Sequence, residues 1–145
     1  MRQDQEITLA SGISAFEAKQ FAHAMKLLTP LAEDSDAEAR YRVAIMFQNG
    51  LGVVRNEQMA VKWMTLAAEA GHGLAQHGLG FMYMEGDCVP TDGELAVTWF
   101  TKAAGQGLVG SQTTLAMMYE QGHGIPCDLE KAKEWYRHAG FTNKP

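Results

Sequence analysis

Tryptophan recurs at Trp63, Trp99 and Trp135, a strict spacing of 36 residues. Other columns hold the same register: Ala60, Ala96 and Ala132; Phe47, Tyr83 and Tyr119; Gly50, Gly86 and Gly122; Asn56, Asp92 and Asp128. Val53, Val89 and Ile125 follow it too, as do Ala44, Gly80 and Ala116, and Gly71 matches Gly107. A repeat of this length constrains the fold more than any other feature, because one short unit cannot bury its own apolar faces and must stack on its neighbours.

Within a unit the pattern reads helix, loop, helix. Leu79, Gly80, Tyr83 and Met84 share one helix face. "EGDCVPTD" then breaks the helix with glycine and proline. Asp92 supplies an N-cap oxygen for the next helix, with Asn56 and Asp128 at the equivalent places. Thr91 with Glu94 offers a competing capping box one residue earlier. Ala96, Trp99, Phe100, Ala103 and Ala104 form the apolar face of the second helix, which ends near Gly105 or Gly107. The pattern predicts helices over 37–49, 57–70, 73–85, 93–105, 109–121 and 129–139. The N-terminal stretch is looser. It predicts a helix ending near Lys19 and a second from Phe21 to Glu33, without the glycine loop. Gly80 and the alanine pairs let helices approach closely. The repeat-core set is Trp63, Trp99, Trp135, Phe47, Tyr83, Tyr119 and Gly80, with each tryptophan a wedge between helices. Truncating such a tryptophan to alanine costs about 3–5 kcal/mol.

Written out, unit two is "AQHGLGFMYMEGDCVPTDGELAVTWFTKAAGQG" from Ala75, with counterparts from Ala39 and Ser111. This resembles the Sel1-like repeat, a branch of the tetratricopeptide superfamily. The resemblance implies an all-α chain, a right-handed α-solenoid of stacked antiparallel helix pairs. It implies one domain over 1–145: a tetratricopeptide-like pair at about 4–36, then repeats at 37–72, 73–108 and 109–141. Departures are few. Cys88 replaces the second loop glycine of unit two, and Asn56 the aspartate of unit one. Unit three ends early, at Gly140, which suggests a frayed end or a missing cap helix.

By resemblance, such proteins are interaction scaffolds and adaptors, and bacterial ones are linked to signalling, envelope assembly and host contact. The first helix of each pair then lines a concave surface. On that surface fall Tyr41, Ile45, Gln48 and Asn49 in unit one, His77, Phe81, Met84 and Glu85 in unit two, and Thr113, Met117, Glu120 and Gln121 in unit three. Tyr41, Phe81, Met84 and Met117 would form an apolar strip rimmed by polar groups, which suits a peptide or partner helix. The competing reading assigns the same apolar residues to packing between units.

Other classes find little support. A net charge of −5 without a basic run argues against nucleic acid. The five histidines show no metal spacing, so no metal or other cofactor is expected. Cys88 and Cys127 lie in the loops of adjacent units, and only His123 is a loop base near either. Glu33, Asp34 and Asp36 read as a solvated acidic turn. No run is long enough for a membrane span. The polar start lacks an apolar leader, which tilts the expectation to the cytoplasm; removal of a leader would instead place the chain in the periplasm or outside the cell. The expected function is therefore a non-enzymatic interaction module with a protein or peptide partner. The alternatives are a hydrolase using a cleft between units, or a self-assembly element. Trp135 and Tyr136 would leave an apolar end face for assembly, including a homodimer through the solenoid ends.

Overall fold

Eight α-helices and no strands make up residues 2–141, the part that the computed structural model describes. They are α1 (Gln3–Glu17), α2 (Phe21–Glu33), α3 (Ala37–Asn49), α4 (Glu57–Glu69), α5 (Gly73–Glu85), α6 (Gly93–Gly105), α7 (Val109–Gln121) and α8 (Leu129–His138). The six repeat helices match the expected boundaries to within one residue. The fraying expected beyond Gly140 falls mainly on residues 142–145, outside the described residues.

The boundaries hold because each loop is closed by the same bonds. Asn56, Asp92 and Asp128 each accept the N–H three residues on, from Met59, Leu95 and Lys131. Their own N–H groups donate back to the carbonyls of Phe47, Tyr83 and Tyr119. The cap column and the aromatic column of the repeat are thus two ends of one clamp. Asp92, not Thr91, takes the cap in unit two. Asp36 does the same for α3 by accepting from Ala39, so the acidic turn is in part a helix cap. Cys88 has φ 69, the left-handed conformation that Gly52 and Gly124 hold with φ 69 and 73 in the other two loops. A side chain in that region carries a steric cost of about 1–2 kcal/mol.

By its contacts the chain divides after Ala75. In the first unit α1 packs on α2, α2 on α3 and α3 on α4. Its interior holds Ala24, Leu28, Val43, Met46, Ala60, Met64 and Ala67 with little or no exposure. In the second unit α6 packs on α7 and α7 on α8. Ala96, Phe100, Ala104, Leu115 and Met118 form its main cluster, and Ala116, Ala132 and Tyr136 a second one.

The tryptophan column does not fill one role. Trp63 is buried, at 6% exposure, but Trp99 and Trp135 are only half-buried. The buried aromatic of the second unit is the next residue along: Phe100 at 0% and Tyr136 at 5%. Phe100 also explains Gly80. A Cβ there would come within 2.8 Å of the Phe100 ring, so glycine is needed to admit the ring. Of the expected apolar end face, Trp135 is half-buried, and Leu129 and Phe141 are exposed near it in the chain. Tyr136 is buried, and the exposed positions of α8 after Leu129 are Glu130, Lys131, Glu134, Arg137 and His138.

Candidate partner-binding groove

Successive turns of α5 bring Phe81, Met84 and Glu85 to one side, and successive turns of α7 bring Thr114, Met117, Met118 and Gln121 to face them. With His123 from the following loop they enclose a groove of about 270 Å³. The two helices run in the same sense. His77 near the start of α5 meets Ser111 near the start of α7, and Glu85 and Gln121 at their far ends line the same groove. Phe81 is 39% exposed and Met117 44%, high values for large apolar side chains on packed helices. Met118, only 2% exposed, belongs to the core beneath.

Five of the expected concave residues therefore meet: Phe81, Met84, Glu85, Met117 and Gln121. Three others in the second unit do not line this groove. His77 is half-buried, with Nδ1 2.6 Å from the Ser111 Oγ and its ring edge-on to Phe81 and Phe100. Burial lowers its pKa below the usual imidazole value. It supports Phe81 from behind, and Phe81 also packs edge-on against Phe100 at 5.3 Å. The Thr113 hydroxyl donates to the Val109 carbonyl of its own helix. Glu120 accepts a 2.9 Å bond from the Tyr136 hydroxyl and so ties α7 to α8. Burial, with that carboxylate beside it, pushes the Tyr136 phenol up.

Thr114, Met118 and His123 were missed by counting from the repeat. Thr114 sits one position from the chosen column, and Met118 looks like core in sequence because it is core. His123 is a loop residue that the strong turn at Gly122 (φ 66) directs back over the helix ends. Gly50 and Gly86 make the same turn, with φ 65 and 71, but the residue after it does not repeat: Leu51, Asp87 and His123.

In the first unit, Tyr41 and Asn49 among the expected concave residues make contacts within the unit. Tyr41 stacks on His72 with ring centres 4.7 Å apart. His72 bridges two elements: Nε2 lies 3.0 Å from a Glu38 oxygen, and Nδ1 accepts the Ala75 N–H. Since Nδ1 accepts, Nε2 carries the proton and donates. Glu38 also takes Arg42 at 2.8 Å. Burial pulls the Glu38 carboxyl upward, but His72 and Arg42 outweigh it and hold its pKa below the usual range. Burial raises the Tyr41 phenol. Asn49 Nδ2 donates to the Ile45 carbonyl, Ile45 is half-buried, and the Gln48 carbonyl accepts from Arg55.

Among the described residues, no group of three or more histidines, cysteines or acids is placed to hold a metal. Cys88 and Cys127 are not joined in a disulfide. Ser111, whose hydroxyl lies 2.6 Å from the His77 ring nitrogen, has no exposure. No described helix is long and apolar enough to cross a membrane.

The paired helices, the clamped glycine loops and the 36-residue register are what a family comparison finds: the Sel1 repeat model matches residues 37–72, 73–108 and 110–140. The chain belongs to the Sel1 repeat family. Solved structures agree. A Sel1 repeat protein from Oxalobacter formigenes superposes with a TM-score of 0.83 at 30% identity, over 91% of this chain and 53% of that one. A protective antigen present in uropathogenic Escherichia coli strains, displaying an SLR fold, superposes with a TM-score of 0.87 at 30% identity, over 93% of this chain and 30% of that one. This chain thus spans about half the length of the first and under a third of the second. Both neighbours are bacterial, which points to a bacterial source. No curated protein matches the sequence. Sel1 repeats typically mediate protein–protein interaction, and nothing in the comparisons points to an enzyme.

Proposed function

We propose that this Sel1 repeat protein is a non-enzymatic adaptor that binds a protein segment in the groove between α5 and α7. The observation that carries this reading is the exposure of Phe81 and Met117 side by side over a half-buried Met84, rimmed by Glu85, Gln121 and His123. Apolar surface with a polar rim is what a peptide or helix partner buries. His77 and Phe100 hold Phe81 in place before binding, so little ordering is needed on this side. A pair of substitutions, Phe81→Ser with Met84→Ser, tests it. Partner capture from a lysate of the source bacterium should be lost while far-UV circular dichroism stays unchanged. Undiminished capture by a folded double variant would sink the assignment.

A further inference from the structure

The rim of this groove carries a charge pattern that narrows its occupant, and the argument rests on the groove reading above. Glu85 is exposed at the last position of α5 and has no ion-pair or hydrogen-bond partner among the described residues. α5 and α7 both end at the same edge, since Glu85 and Gln121 are their final residues. Loop N–H groups already take two of the last four carbonyls of each helix, Met82 and Tyr83 in α5 and Met118 and Tyr119 in α7, so only a weakened helix dipole adds to the Glu85 charge. That edge of the groove is thus negative chiefly through Glu85. No lysine or arginine lines the groove. The chain as a whole carries −5, which adds attraction for a cation at long range.

The rest of the groove is apolar and soft. Met84 and Met117 offer thioethers that adapt to shape and favour contact with aromatic rings. Phe81 adds a ring that attracts a nearby cation. We propose that the groove recognises a partner segment carrying a bulky aromatic side chain next to lysine or arginine. The aromatic ring lies on the methionines, and the cation sits toward Glu85 and the helix ends. An acidic segment is disfavoured at the same place.

The test uses the full chain and two short fluorescently labelled peptides, read by anisotropy at low salt. One has a central tryptophan flanked by lysines, and the other has the same tryptophan flanked by glutamates. The lysine peptide should bind about fivefold tighter or better, with the margin shrinking as salt rises. Glu85→Lys should invert the order. Equal affinities for the two peptides, or an order unchanged in Glu85→Lys, overturn the proposed charge selection. In that event the groove reading still stands if Phe81→Ser with Met84→Ser abolishes binding of both. Binding of both peptides that survives this double change overturns the groove reading itself, and no binding of either overturns both. Thermal melting of each variant separates lost binding from lost fold.

Discussion

Trp63, Trp99 and Trp135 show how one sequence column splits into different jobs. Trp63 is buried, yet its indole N–H has no hydrogen-bond partner among the described residues. Its value then lies in packing and in the cations over its ring, Lys62 at 4.8 Å and Arg40 at 5.9 Å, not in a hydrogen bond. Trp63→Phe should cost less than about 1.5 kcal/mol, a shape change without a lost bond, whereas Trp63→Ala should cost about 3–5 kcal/mol. Urea unfolding of both variants checks this, and equal losses would mean that the N–H matters. For Trp99, half-buried with Lys102 over its ring, truncation should cost less than at Trp63, and the large loss should move to Phe100→Ala. Cys88 gives a second prediction at this scale. It holds the left-handed conformation that glycine holds in the other two loops. Cys88→Gly should therefore raise stability by up to about 1 kcal/mol, as relief of backbone strain outweighs the added flexibility of the unfolded chain. A lower melting temperature would show that the Cys88 side chain contributes contacts worth more than the strain.

Among the elements, the loops are the most repetitive part of the molecule, and their bonds say why. In each repeat a cap side chain accepts from the third helical N–H, while its own amide returns to the aromatic carbonyl of the preceding helix. Removing one cap side chain leaves the third helical N–H to solvent. Asp92→Ala should cost about 1 kcal/mol, the usual loss for an N-cap, and Asp92→Asn should recover most of it because Asn56 does the same work in unit one. Failure of asparagine to rescue would mean that charge at the α6 N-terminus, not the hydrogen bond, supplies the stability. Tyr136 and Glu120 tie α7 to α8 in a way no period announced. The groove was legible only in part for the same reason. Counting along a helix finds which residues share a face, so Phe81, Met84, Glu85, Met117 and Gln121 were found. It does not find which of those faces a neighbour's side chain has already claimed, so His77, Glu120 and Tyr41 looked available.

For the molecule as a whole, the ionisable groups set a stability profile with pH. The His77 pKa is lowered by burial, so its contribution is complete above the usual imidazole value of 6.5 and is lost as pH falls through the depressed one. Glu38, held low by His72 and Arg42 against the pull of burial, contributes fully above its usual 4.5 and loses that contribution as pH falls further. Tyr41 and Tyr136 are raised, first by burial, so they stabilise below their usual 10.0 and cease to do so as pH rises through the raised values. Melting temperature should thus form a plateau between about pH 6.5 and 10, with a two-stage acid limb. Glu38→Gln should flatten the lower stage and leave the first. A melting temperature constant from pH 7 to 4.5 would contradict the His77 assignment, and one constant on further acidification would contradict that of Glu38.

The amino-acid sequence by itself determined the helix pairs, the loop closures and the family, because those depend on contacts within one repeat and recur with its period. Spacing along the chain is enough to express them. Tertiary structure alone decided which member of the Trp-aromatic pair goes inside, that Gly80 serves Phe100, that α8 shows a charged outer side, and which outward residues of α5 and α7 meet in a groove. Those outcomes depend on how much room the neighbouring helix leaves at each position. That room is set by side chains far along the chain, such as Phe100 against Gly80, and no periodicity along the chain records it.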